Sequence, residues 1–214
     1  MHDTAYRYGQ LFYDAYVPKG QNVQIVEIGS QNVNGGLRDI FATPHTNFMG
    51  IDFVDGPGVD CRMDNPYVIP LSDDTVDILI CSSVLEHCEM FWVLFLEMVR
   101  VIKPGGLIYI NAPSNGNFHR HPVDCWRFYP DSGKALETWV QHNGHDLVML
   151  ESFIGNQDQD IWNDFVAVFC KGEENVTRYN NRILHDITDY ANGKLYGYDR
   201  DQFLNYDPIP QDRK

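Results

Sequence analysis

The chain has 214 residues, 43% of them hydrophobic and 13% aromatic, which suits one folded domain with a full core and excludes a disordered chain. A formal net charge of −14 argues against a nucleic-acid partner and against docking on anionic lipid, since both want a basic face. The five cysteines, Cys61, Cys81, Cys88, Cys125 and Cys170, form no C-x-x-C pair, so neither a zinc site nor a disulfide framework is indicated and reduced thiols in the cytoplasm are the simplest account.

Residues 1–22 predict a lead-in helix with Tyr6, Leu11, Phe12 and Tyr16 as its apolar positions and Pro18-Lys19-Gly20 as its stop. The first ten residues are polar and lack the apolar centre of a signal peptide. Gln24–Gly29 reads as a buried strand, followed by a glycine turn and a helix from Gly35 to Phe41. A second strand spans Asn47–Asp52, and Gly56-Pro57-Gly58 turns the chain back at Val59-Asp60. Val76–Ser82 is a third strand. The helix after it carries Phe91, Leu94, Phe95, Met98, Val99 and Ile102 at helical spacing and stops at Lys103-Pro104-Gly105-Gly106. The uncharged run Met90–Leu96 is too short to cross a membrane. Leu107–Asn111 is the next strand, and His145–Ser152 with Asp164–Cys170 form a closing hairpin. Strands alternating with helices predict a doubly wound, mostly parallel sheet. From Lys171 the composition turns polar. Residues 172–214 read as an extension of the 1–171 domain that packs on its surface or on a second subunit, giving a homodimer.

Two acids end two successive strands, Glu27 and Asp52, with the Gly29 turn between them. A buried parallel strand is nearly all apolar, so an acid at its tip points to a crevice, and the pair suits a ligand with positive charge and ribose hydroxyls. A nicotinamide site wants G-x-G-x-x-G, but the line Gly29-Ser30-Gln31-Asn32-Val33-Asn34-Gly35 lacks the second and third glycines. No lysine sits in the turn, so a phosphate-cradling loop also fails.

The stretch resembles the first motif of the class I S-adenosylmethionine-dependent methyltransferases, with Gln31 at the place of a motif glycine. The resemblance covers residues 20 to 170, and Asn34-Gly35-Gly36-Leu37-Arg38 is similar to a type-11-like subgroup of surface-sugar clusters. It implies a Rossmann-like seven-stranded sheet with an antiparallel last strand. It also implies S-adenosylmethionine as donor and S-adenosylhomocysteine as product. Under it, Glu27, Gly29, Ser30, Asp52, Met63, Asp64, Ser82 and His87 hold the donor, with Asp52 on the ribose and Asp64 on the adenine amine.

The segment 115–130 leaves the carboxyl end of a strand, where α/β sites open, and is dense in His, Arg, Asp, Trp and Tyr. It resembles the H-x-x-P-x-D-x-W-R-F signature of the same subgroup at His119, Pro122, Asp124, Trp126, Arg127 and Phe128. An oxygen nucleophile needs a base, and His119, oriented by Asp124, is the first candidate; a role as acceptor ligand is the alternative. His121, Trp126, Arg127 and Tyr129 are candidates for binding the acceptor. The competing readings are that Trp126 is core beneath the loop and that Arg127 braces the loop through Asp124. No pair of histidines or carboxylates has dedicated metal spacing, so no metal is expected. The expected activity is methylation of a hydroxyl on a small polar acceptor, a sugar or sugar nucleotide. The alternatives are N- or carboxyl-methylation and a catalytically silent donor-binding module.

Overall fold

A computed structural model describes residues 2–208. The chain begins with helix α1 (Asp3–Tyr16), then strand β1 (Val23–Ile28), helix α2 (Arg38–Phe41) and strands β2 (Thr46–Asp52), β3 (Cys61–Arg62) and β4 (Val76–Ser82). Helix α3 (Phe91–Val101), strand β5 (Ile102–Pro113), helix α4 (Ser132–His142) and strands β6 (Leu147–Gly155), β7 (Asp164–Lys171) and β8 (Tyr190–Leu195) complete it. All the strands join one sheet in the order β3-β2-β1-β4-β5-β7-β6-β8. The half from β3 to β5 is parallel, and β7, β6 and β8 run antiparallel to their neighbours. This is the predicted doubly wound, mostly parallel sheet.

Side-chain alternation along the strands divides the core in two. Val26, Ile28, Leu79, Cys81, Ile108 and Ile110 face Leu94, Phe95 and Met98 of α3 and Leu136 and Val140 of α4. Ile25, Ile78, Ile80, Leu107 and Tyr109 face the other way, onto Tyr8, Phe12 and Tyr16 of α1 and Ile40 and Phe41 of α2. The lead-in helix is therefore one of the layers of the fold. Its apolar face is set by Tyr8, Phe12 and Tyr16, which recur every fourth residue.

Three elements differ from the sequence expectation. The helix expected from Gly35 is reduced to Arg38–Phe41, because Gly35 stands at φ +95° and gives its N–H to the Asn32 side chain at 2.9 Å. That is a side-chain turn, which competes with helix formation. Helix α4 was not foreseen, although Leu136 and Val140 supply a buried face at helical spacing. The expected count of seven strands becomes eight.

Part of the polar extension folds back as β8 and pairs with β6. Its anchor is Glu151 of β6, a fully buried carboxylate that accepts from Tyr16 Oη at 2.5 Å, Ile183 N–H at 2.8 Å and Leu184 N–H at 3.0 Å. One acid thus ties the lead-in helix, the sheet and the extension together. Residues 209–214, the end of the predicted extension, lie outside the described residues.

Candidate active site

The carboxyl ends of β1, β2, β4 and β5 open on one cleft of about 830 Å³. Parallel strands all present their ends on the same edge, and the strand order reverses on either side of β1 and β4, so a crevice forms there. Glu27 pairs in register with Gly50 of β2 and Ile80 of β4, which sets it at the centre of that edge.

One wall carries the acids. Glu27 and Asp52 are each 5% exposed and line the cleft, and neither forms an ion pair among the described residues. Burial pushes the Glu27 carboxyl up to about 7, against the Leu37 N–H and the Arg38 charge, which lower it. Asp52 accepts from the Gln31 N–H at 3.0 Å and the Val54 N–H at 3.2 Å. Gly29 turns the chain at φ +79°, and a Cβ there would lie 2.1 Å from Val84 Cγ2, so only glycine lets the β1 and β4 ends approach this closely. Ser30 Oγ and Ser82 Oγ are buried in the same wall without a hydrogen-bond partner. Met63 lines the cleft, its N–H bonded to the Asp52 carbonyl at 2.7 Å.

Another part of the lining carries imidazoles. His87 follows the β4 end in a short 3-10 turn (Leu85–His87), and His119 and His121 lie on the loop after β5. The His87 and His119 rings stand 4.9 Å apart, and His121 lies 5.9 Å from His87. His87 Nδ1 lies 2.5 Å from the Val123 carbonyl, and His119 Nδ1 lies 3.0 Å from the Asn117 carbonyl. A carbonyl oxygen only accepts, so both Nδ1 atoms carry the proton and both Nε2 atoms keep a lone pair. Burial lowers the His87 pKa, which favours the neutral ring. Trp162 closes this side edge-on to His119, with centroids 4.9 Å apart.

Of the residues singled out from the sequence, Glu27, Gly29, Ser30, Asp52, Met63, Ser82, His87, His119 and His121 all line this cleft. Asp64 is exposed beside Met63 and does not line it. Asp124, Trp126, Arg127 and Tyr129 also stand behind or outside the lining. Arg127 clamps Asp124 at 2.6 and 3.0 Å and reaches the Asn117 carbonyl at 2.9 Å. These hydrogen bonds hold the Asp124 carboxyl at about 2. Asp124 in turn accepts the His119 backbone N–H at 2.8 Å, so the pair braces the loop that presents His119. Trp126 packs on Phe91 and Trp92 and donates from Nε1 to the Cys88 carbonyl at 3.0 Å, fixing the loop to α3. Tyr129 is 53% exposed.

The sequence singled out His87 but not its neighbour Glu86. Its side chain is 1% exposed, its Oε2 has no hydrogen-bond partner, and burial pushes its carboxyl up to about 8. The available signal was an acid in the turn that leaves a buried strand, four residues past the end of β4.

Comparison with known proteins bears on this cleft. A family model described as a methyltransferase domain matches residues 41–110, which run from the end of α2 through β5. An uncharacterized methyltransferase of Mycobacterium bovis is 28% identical over 156 residues, covering 67% of this chain and 60% of that protein. A Mycobacterium ulcerans relative, also an uncharacterized methyltransferase, is 35% identical over 91 residues, 42% of this chain and 35% of its own. The chain thus spans 60% or less of the length of these relatives. Among solved structures, the Burkholderia thailandensis 1,6-didemethyltoxoflavin-N1-methyltransferase, which holds 1,6-didemethyltoxoflavin and S-adenosylhomocysteine, superposes with a TM-score of 0.61 at 13% identity over 79% of each chain. The fold of the chain is that of the class I methyltransferases. A Listeria monocytogenes protein described as a S-adenosylmethionine-dependent methyltransferase matches with a TM-score of 0.56 at 13% identity, over 80% of this chain and 100% of its own.

The cofactor that the matched methyltransferase model and this fold imply is S-adenosylmethionine, and the cleft fits it. The donor bears a sulfonium, an ammonium and two ribose hydroxyls; the acid wall offers two buried carboxylates with no ion pair, and two serine hydroxyls with no hydrogen-bond partner, among the described residues. A Cβ at Gly35 or Gly36 would meet no atom within 4 Å, so the turn after β1 leaves open space beside these groups. Among the described residues no helix is long and apolar enough to cross a membrane.

Proposed function

We propose that the chain transfers a methyl group from S-adenosylmethionine to a hydroxyl of a small polar acceptor, a sugar or sugar nucleotide. The observation that carries this is that one cleft is lined by both sets of groups: two buried acids with no ion pair among the described residues, and imidazoles whose Nδ1 atoms are tied to backbone carbonyls. S-adenosylmethionine supplies the methyl group already activated on sulfur. What remains for the protein is to hold the donor, exclude water and set the acceptor in line. Glu27 offsets the donor's positive charge, Asp52 takes its ribose hydroxyls, and Ser30 and Ser82 satisfy their own buried hydroxyls on it. The cleft wall that includes Leu94, Pro113, Val84 and Trp162 keeps water from the transfer path.

His119 is the residue we assign to activating the acceptor, with Asn117 fixing its tautomer and Asp124, braced by Arg127, fixing its backbone. As the acceptor oxygen bonds to the methyl carbon, the carbon–sulfur bond breaks, its electron pair stays on sulfur, and the hydroxyl proton leaves to solvent. The choice of a sugar hydroxyl rests on the likeness of residues 119–128 to the surface-sugar subgroup and on the polar character of the imidazole wall. Five unpaired cysteines support a reducing compartment such as the cytoplasm.

The test has two parts. S-adenosylhomocysteine should raise the melting temperature with concentration, and NAD should not. The full chain, given methyl-labelled donor and a panel of sugar nucleotides, amines and carboxylates, should label an oxygen of a sugar. Stabilisation by NAD alone would overturn the donor. Transfer confined to a nitrogen, as the name of the Burkholderia protein gives for that protein, would overturn the acceptor.

A further inference from the structure

Three groups of the imidazole wall remain unexplained by donor binding. Glu86, His87 and His119 each place a ligating atom within 4.8 Å of the others, and His87 Nε2 lies 3.7 Å from Glu86 Oε1. With Glu86 ionised and both rings neutral, all three are acceptors. Both imidazoles have their proton tied to a backbone carbonyl through Nδ1, and a carboxylate only accepts. Three converging acceptors with no donor among them repel one another. Glu86 sharpens the problem, since its Oε2 is buried and unpartnered, and a buried carboxylate without a partner is costly.

We propose that Glu86, His87 and His119 bind a divalent first-row transition cation of the zinc class, with an open coordination position facing the acceptor side of the cleft. The donor set is two neutral imidazoles and one carboxylate, which suits such an ion and is the three-ligand, one-open arrangement of catalytic zinc sites. The carbonyls of Val123 and Asn117 behind each ring are the outer partners that fix a ligating imidazole. Ligands around zinc at about 2.1 Å stand about 3.4 Å apart, so the three groups draw in by rotation of their side chains. His121, exposed at the mouth, stands 6.5 Å from His119 in ring separation and closes the fourth side without completing the shell.

The cation answers how His119 activates the acceptor, and to that extent the inference rests on the methyltransferase reading. A hydroxyl at the open position is acidified by the ion and loses its proton to solvent at the mouth, so His119 acts as a ligand and not as the base itself.

The full chain is purified, its metal content measured, then stripped with a chelator and titrated with Zn²⁺ and Co²⁺. The Co²⁺ absorption bands report coordination directly. Wild-type protein and the exposed-site control His145→Ala should bind one equivalent, and His87→Ala and Glu86→Gln should bind at least about 100-fold more weakly. Failure of wild-type protein to take one equivalent, or equal affinity in His87→Ala, overturns the proposal. Stabilisation by S-adenosylhomocysteine is measured on the same samples. Its presence with no cation binding leaves the donor reading standing and removes the cation; its absence with cation binding does the reverse. Stabilised variants are also folded variants, so a lost cation site is not mistaken for unfolding.

Discussion

Glu27→Gln separates the donor's contribution from that of the fold. The Glu27 carboxyl titrates at about 7 in the folded protein against 4.5 in the unfolded chain, because burial disfavours its charge. Between those values the folded state keeps a proton that the unfolded state has lost. Stability therefore falls as pH rises from about 4.5 to about 7, and above that the fold carries a deficit of about 3 kcal/mol from this one group. Glutamine keeps an acceptor for the Leu37 N–H and has no charge to bury. In urea denaturation without donor, Glu27→Gln should match the wild type near pH 4 and exceed it by about 1–3 kcal/mol at pH 8. Calorimetry with S-adenosylhomocysteine should show the opposite cost. A charge-assisted contact of about 1.5–3 kcal/mol is lost, so the variant should bind about 10- to 150-fold more weakly at pH 8. Wild-type affinity should itself decline as pH falls through about 7, as Glu27 takes up its proton. A variant that is no more stable at pH 8, or wild-type binding that ignores pH, would refute the assignment of Glu27 as a carboxylate held ready for a cation.

Asp52→Ala should weaken S-adenosylhomocysteine binding by about 2–4 kcal/mol in calorimetry, through loss of two charge-assisted hydrogen bonds to ribose. Gly29→Ala should lower stability by about 1–3 kcal/mol in denaturant titration, since it adds positive-φ strain to a 2.1 Å clash with Val84. Arg127→Ala strips the cation from Asp124, whose side chain is 2% exposed, and should destabilise by about 2–4 kcal/mol while sparing S-adenosylhomocysteine affinity per folded molecule. Glu151→Ala leaves the Ile183 and Leu184 N–H groups and Tyr16 Oη unmet and should cost about 3–5 kcal/mol, with residues 180–200 becoming protease-sensitive first.

The parallel half of the fold was legible because its strands are buried on both faces and bounded by glycine. Val76–Ser82 coincides with β4, and the predicted Asn47–Asp52 differs from β2 by one residue. The acid wall was legible for the same reason, since Glu27 and Asp52 interrupt apolar runs at the place where strands end. Helix α4 was harder: Ser132-Gly133-Lys134 opens it with a glycine inside the first turn, and its buried Glu137 masks the apolar stripe. β8, Tyr190–Leu195, carries Asn192, Gly193 and Lys194 in its middle. It reads as polar because its burial comes from the extension folding over it. Lys194 survives there by laying its ammonium on the Phe203 ring at 3.8 Å and giving a hydrogen bond to the Arg200 carbonyl.

The loop 115–130 shows a different limit. Its residue types pointed to the site, but type alone cannot say which side chains face the cleft and which hold the loop in place. A guanidinium three residues from a carboxylate suits a brace as well as a binding clamp, and here the fork of Arg127 is spent on Asp124 and Asn117. The loop's reach into the cleft then falls to His119 and His121; His119 Nδ1 is tied to the Asn117 carbonyl, as His87 Nδ1 on the neighbouring turn is to that of Val123. The cluster that His87 and His119 form with Glu86 could not be read from spacing, because His119 comes from the β5 end and Glu86-His87 from the β4 end. Adjacent parallel strands bring those ends together only in the folded sheet, through the β4–β5 register that pairs Ser82 with Asn111. A metal-spacing rule written along the chain is blind to ligands gathered across a strand pair. The informative sign was instead a solitary acid near the carboxyl end of a buried strand, within β1 at Glu27 and in the turn after β4 at Glu86. In each case the fold keeps a buried carboxyl whose charge burial disfavours, and under our proposals a bound positive charge offsets that cost.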